Sequence, residues 1–302
     1  QSKFKNAFFY DVNKNQVSWI NQDELQGKLD IKKTIKWRDY KYDVVVCCNI
    51  NKTKTTDLIE SENRMVFNII DRDKVSKLIP LYKSHLQKCI RRGLTDKAVK
   101  TSKTLIELNF LEFVRRISII MLEDCVIHES FIKLAWMVAA YPEWIPTLDD
   151  LDFLLNLVKY LADSKLRNQV KKSEFNLKQH IKIVNKLEEP YHSIIYSLNF
   201  RKSFGGLTGD MLMLSYFSKY WLEHFKNLNQ WEKDIIYHTI DNDIKYEKVN
   251  LISFNDIDLS AIDFHIFPKM VSMIYEHFRN DKRKDNLNVI FNYNNIKLAI
   301  WH

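Results

Sequence analysis

Glycine and proline are scarce in this 302-residue chain, with five copies of each, and arginine falls to 11 against 35 lysines. The four cysteines, Cys47, Cys48, Cys89 and Cys125, form no Cys-x-x-Cys pair, and adjacent cysteines rarely bridge each other. The nine histidines stand singly, so sequence neighbours assemble no zinc site. Neither Gly-x-x-x-x-Gly-Lys-Ser/Thr nor Gly-x-Gly-x-x-Gly occurs, which excludes nucleotide sites of those two kinds. No run approaches the roughly 20 apolar residues of a membrane span, and the stretch from Gln1 to Tyr10 has no apolar signal core. The expectation is a reduced, cytoplasmic chain with no membrane contact, no metal and no cofactor.

What the chain does contain suits a globular fold: 46% hydrophobic residues, 13% of all residues being aromatic. A formal charge of +8 and a pI near 9.0 point to nucleic acid or an acidic protein as partner. Amino acids with AT-rich codons are abundant and those with GC-rich codons few, so arginines kept against that drift are informative. Arg91, Arg92, Arg115, Arg116, Arg167 and Arg201 stand in pairs or beside turns and helix ends, where a guanidinium serves buried bidentate ion pairs.

Short β-branched or aromatic runs predict strands at Ala7 to Val12, Gln16 to Ile20, Tyr42 to Ile50 and Arg64 to Ile70, with Asn13-Lys14-Asn15 as a hairpin turn. From Asp73 the apolar period becomes helical. Helices are expected over Val75 to Arg92, Asp96 to Leu108 behind a Thr95 cap, Leu111 to Leu122, Phe131 to Ala140 and Leu148 to Leu161. Further helices are expected over Arg167 to Glu189, Met211 to Phe225, Leu259 to Phe278 and Asn286 to Ile300, with a strand-like passage near Tyr246 to Phe254. The fold class is α+β: a small antiparallel N-terminal sheet in residues 1–71, packed on a mainly helical body in residues 72–302 as one continuous unit.

Three of the five glycines, Gly205, Gly206 and Gly209, fall in one five-residue window after Arg201 and Lys202 and before an amphipathic helix. Backbone N–H groups exposed there can form a nest for phosphate, with Arg201 and Lys202 adding charge. The structural explanation is a tight turn between packed helices with Asp210 as cap. In Asp263-Phe264-His265, ahead of Pro268, an extended backbone would put the carboxylate and imidazole on one side, where His265 could act as general acid or base oriented by Asp263. The alternative there is a half-buried histidine bonded to backbone. Arg115-Arg116 with Glu123-Asp124 and His128 reads as an interhelical ion-pair network. Aromatic and basic residues alternate from Trp37 to Tyr42 and over Lys219-Tyr220-Trp221, as in base-stacking surfaces, although a core-facing Trp explains them better.

The segments Gln87-Lys88-Cys89-Ile90-Arg91-Arg92-Gly93, Arg115-Arg116-Ile117 through Glu123-Asp124 to His128, Arg201 to Gly206 and Asp263-Phe264-His265 together resemble a poorly characterised helical family of protists and large DNA viruses. That resemblance spans about two-thirds of the chain and implies no activity. In composition and charge the chain is also similar to proteins of yeast cytoplasmic linear plasmids, which include killer ribotoxins and their immunity proteins. Such ribotoxins are metal-independent tRNA anticodon nucleases pairing a Glu near the N-terminus with a distal His. Here the first acidic residue is Asp11 and the first glutamate Glu24.

Two functional readings follow. In one, the protein is RNA-directed, possessing a ribonuclease-like phosphate site of Arg201, Lys202, Gly205, Gly206 and Asp210 that serves metal-independent transesterification by His265 and Asp263. In the other it is a non-catalytic immunity protein that binds and blocks a tRNA-cleaving toxin. The partner is RNA, tRNA included, or a toxin protein.

Overall fold

A computed structural model describes residues 6–37, 42–49, 72–164 and 188–247. Four strands open the fold: β1 (Asn6–Asp11), β2 (Gln16–Asn21), β3 (Leu29–Trp37) and β4 (Tyr42–Asn49), in the order β2-β1-β4-β3. Polar turn chemistry sets the first hairpin. The Asp11 carboxylate accepts the N–H groups of Asn13 and Lys14, and Asn15 takes the left-handed conformation (φ 51°) that asparagine tolerates.

The sheet is mixed, where the sequence reading expected an antiparallel one: β1–β2 and β3–β4 are antiparallel, but β1 and β4 run parallel, with Asn6 opposite Val44. The reason is the connection after β2. Strands β2 and β3 lie on opposite edges and run the same way, so residues 22–28 must cross the sheet between them. Leu25 and Leu29 accordingly pack over the outer-face residues Ala7, Val45 and Cys47. The inner face presents Phe8, Tyr10, Trp19, Trp37, Val44, Val46 and Cys48 to the helices. Adjacent Cys47 and Cys48 therefore point into different apolar layers, and burial pushes both thiols up to about 12.

Strand β3 escaped the sequence reading because Lys32, Lys33 and Lys36 interrupt its apolar residues. Its alternation is nonetheless regular after a register shift between Leu29 and Ile31: Ile31, Ile35 and Trp37 are the more covered set, and Lys33 on that side reaches Glu143 at 2.6 Å. Trp37 is wholly buried against Trp19, Tyr42, Tyr196 and Phe200, so it belongs to the core rather than to a base-stacking face.

Seven helices are described: α1 (Arg72–Arg91), α2 (Thr95–Asp124), α3 (Phe131–Ala140), α4 (Leu148–Asp163), α5 (Tyr191–Lys202), α6 (Thr208–His224) and α7 (Gln230–Ile236). The two helices expected between Asp96 and Leu122 form one span that breaks at Asn109, whose backbone is extended (φ −165°). The Asn109 side chain accepts the N–H of Glu112 and so caps the second half. Helix α3 is buried at all ten positions and lies at the centre, contacting β1, β2, β4, α2 and α5. Trp136 donates its indole N–H to the carbonyl of Phe8, tying this helix to the sheet. Helix α5 is covered nearly all round, so it lacks the one-sided apolar stripe that would have announced it.

The expected strand Arg64 to Ile70, the helices Leu259 to Phe278 and Asn286 to Ile300, and all but the last two residues of Arg167 to Glu189 lie outside the described residues.

Candidate functional site

At the glycine turn, α5 ends with Arg201 and Lys202, Gly205 (φ 74°) and Gly206 (φ 147°) reverse the chain, and α6 begins at Thr208. Both φ values fall where side-chain-bearing residues are strained, which explains the glycines locally. Arg201 is 1% exposed and faces inward: Nε donates to Ser118 Oγ (3.3 Å), Nη1 to the Gly205 carbonyl (3.1 Å) and Nη2 to the Arg115 carbonyl (3.4 Å). Arg115 donates to the Phe204 carbonyl at 2.8 Å. Burial first, and then the Arg115 charge, bring the Arg201 guanidinium down to about 10, opposed by Asp210 and Glu112.

The turn thus offers carbonyl oxygens to two arginines. The Gly205 N–H is directed back at the Lys202 carbonyl (3.4 Å), and the Asp210 carboxylate stands 3.5 Å from where a Cβ on Gly206 would lie. A carboxylate beside the glycines repels an incoming phosphate. Lys202 lies near Lys219, whose ammonium is lowered by burial and then by the Lys202 charge. Asp210 sits in the first turn of α6, but the residue at the cap position is Leu207. The structure gathers Arg201, Gly205, Gly206 and Asp210 in one turn; His265 and Asp263 lie outside the described residues.

The arginine pairs tie helices together. Arg91 meets Asp124 at 2.5 Å with both side chains buried, Gln87 donates to Glu123 and Asp124, and Arg116 donates to Gln87. His128 is not part of this network.

A cleft of about 730 Å³ opens elsewhere, lined by residues of the β1–β2 hairpin, the start of α3, Phe153 of α4, the start of α5 and Thr239–Ile240. Lys133 sits at its base, the single cation in the otherwise apolar α3 sequence Phe131 to Ala140. Its three N–H donors go to Asp150 Oδ1 (2.9 Å), Tyr10 Oη (3.1 Å) and Asn15 Oδ1 (2.6 Å), and Phe153 lies below the ammonium. Burial alone would raise the Asp150 carboxyl, but Lys133 and the Thr147 cap hold it below the usual range. Because Asp150 also closes the capping box of α4, the start of that helix and the buried cation share one carboxylate.

On one wall, His128 Nε2 meets the His238 carbonyl at 2.8 Å. A carbonyl only accepts, so Nε2 carries the proton and Nδ1 accepts from Ser130 Oγ (2.7 Å). Burial lowers this imidazole to about 4, leaving it neutral and a weak base. At the mouth stand Glu129 and Glu189. Desolvation by the wall raises Glu129, and no hydrogen bond or ion pair of its carboxylate occurs among the described residues. Glu189 accepts from His192 Nδ1 (3.0 Å) and the Ser193 N–H (3.4 Å), which outweigh desolvation and lower it. Both charges act on the Tyr237 hydroxyl, which burial raises most. Ser193, 1% exposed and part of the lining, keeps a buried hydroxyl without a hydrogen-bond partner.

None of these cleft residues was read as a binding group from sequence: His128 was placed in an ion-pair network and Asn15 in a hairpin turn. The one available signal was Lys133, a lone cation in an apolar helix, since a buried ammonium demands a buried acceptor set.

Among the described residues no three His, Cys, Asp or Glu side chains gather as metal ligands, all four cysteines are free and buried, and no helix is long and apolar enough to cross a membrane. No known protein family, curated protein or solved structure matches the chain.

Proposed function

We propose that the protein is an RNA-binding protein whose polyanion contact is the chain segment 165–187. The observation that carries this is the distribution of charge. The described residues balance cations and anions almost one for one, so the surplus of +8 must come from elsewhere. Segment 165–187, between α4 and α5, holds Lys165, Arg167, Lys171, Lys172, Lys178, Lys182 and Lys186 against Glu174 alone. Such a density of like charge is strongly favoured beside phosphates, where each contact releases a condensed counterion. The reading is one of binding, because Arg201 and Arg115 are engaged with carbonyl oxygens at the turn where a phosphate seat was expected.

The test is affinity for single-stranded RNA and for tRNA as a function of salt. Each phosphate contact contributes about −0.7 to the slope of log K against log salt for a single strand. Replacing Lys171, Lys172, Lys178 and Lys182 with Gln is expected to flatten that slope by about 3 and to weaken binding at low salt. A slope unchanged by the four substitutions would falsify the assignment, and binding of an acidic protein without RNA affinity would favour the immunity reading.

A further inference from the structure

The cleft beside α3 is chemically lopsided. Its buried cation has no donor left to offer, since all three N–H groups of Lys133 already point at Asp150, Tyr10 and Asn15. Lys14, at the rim, is 3.6 Å from Asp11 and largely in solvent. What stays open is acceptor capacity: the Glu129 carboxylate with no partner among the described residues, the remaining lone pairs of the Glu189 carboxylate, whose two oxygens each accept one hydrogen bond, and the Ser193 hydroxyl buried without a hydrogen bond. A buried hydroxyl left unbonded carries a free-energy cost that a ligand of the right polarity removes, and the exposed Glu129 carboxylate stands free to pair with it. Among these and other polar lining residues, Val17, Ile132, Phe153, Pro190 and Ile240 supply apolar surface. A volume of 730 Å³ is the size of sites that take small organic molecules.

We propose that this cleft binds an organic cation, an ammonium or guanidinium group on an aliphatic stem, with the charged head between Glu129 and Glu189 and the stem along Phe153 and Ile240. The head donates to Glu129 and to the Ser193 hydroxyl, and the Glu189 carboxylate contributes charge from the opposite side. The same chemistry is presented by a free polyamine and by a lysine or arginine side chain of a partner. The proposal uses none of the lysines of segment 165–187 and does not depend on the RNA reading.

Calorimetric titration of the whole chain at physiological ionic strength, with spermidine and separately with a lysine-rich peptide, tests this. The expected result is saturable uptake of at least one of them, with Glu129→Gln and Glu189→Gln each weakening it about tenfold or more. Tighter binding of spermidine identifies a free amine as the source, and tighter binding of the peptide a partner's side chain. Ser193→Ala is expected to weaken uptake a few-fold with an unchanged melting temperature, which keeps the test valid if a glutamate variant does not fold. Replacing Lys171, Lys172, Lys178 and Lys182 with Gln should leave cation affinity as it was, so loss of RNA binding and loss of cation uptake are separate outcomes. Uptake of neither probe, equal affinity in the Glu129→Gln/Glu189→Gln double variant, or preferential binding of inorganic phosphate would overturn the proposal.

Discussion

The glycine turn and the α3 cleft each bury a cation, and they neutralise it in opposite ways. Arg201 is surrounded by main-chain carbonyls and a serine, with no carboxylate in an ion pair to it among the described residues. Lys133 is held by Asp150, a side chain that is itself fixed by the cap of α4. The first arrangement turns the guanidinium inward onto the chain's own carbonyls. The second satisfies its own charge and, in the same cleft, leaves the Glu129 carboxylate and the Ser193 hydroxyl without hydrogen-bond partners among the described residues. A conspicuous cluster of residue types in a sequence can therefore be the signature of a backbone problem solved locally. Open binding capacity arises where several distant segments meet.

The sharpest way to break that comparison is to remove each cation. Arg201→Met strands the carbonyls of Gly205 and Arg115 and is expected to cost about 4 kcal/mol in urea unfolding, with no single compensating substitution because two of its three acceptors are backbone. Lys133→Met leaves Asp150 buried and unpaired and should cost about as much, yet Lys133→Met/Asp150→Asn should recover a large part of the loss. Equal behaviour of the two sites toward a second substitution would remove the distinction.

A somewhat smaller effect is expected from pH. His128 stays neutral in the folded protein down to about 4, while in the unfolded chain it protonates near its ordinary value of 6.5. Between those values the unfolded state binds more protons, so stability is full above pH 6.5 and declines as pH falls toward 4, by about 3 kcal/mol at the low end. Urea unfolding at stepped pH measures the decline, and in His128→Gln this share of it should vanish.

The smallest effect belongs to the turn's own backbone. Gly206→Ala places a methyl 2.8 Å from Met211 Cε, the end of a flexible side chain, at φ 147°, so a loss of about 1–2 kcal/mol is expected from the melting temperature. A neutral outcome would mean that the glycine there answers to something other than conformation.

The sequence made the helical body legible wherever a helix has one wet face, as in α4 and α6, and it located the first hairpin through Asn13-Lys14-Asn15. It concealed β3, whose lysines mask an edge strand, and α5, whose burial on nearly every side erases the helical period. The parallel β1–β4 pairing was hidden because direction depends on how residues 22–28 cross the sheet, a property of the closed structure. The cleft was hidden for a related reason. Glu129, Glu189 and Ser193 lie on two segments some 60 residues apart in a chain of 302, and only packing of α5 beside α3 makes them neighbours of one space. Lys133 was readable as an anomaly, but its partners Tyr10, Asn15 and Asp150 were not.

The paired cysteines of β4 carry a consequence of their own. Cys47 lies under the crossover and Cys48 under the helices, so consecutive residues of one strand are shielded by separate lids of different construction. A thiol reagent meets Cys47 when the 22–28 segment lifts and Cys48 when the sheet parts from α3 and α5. Two positions joined by a single peptide bond thereby act as independent clocks for the peeling of the lobe from outside and its detachment from within.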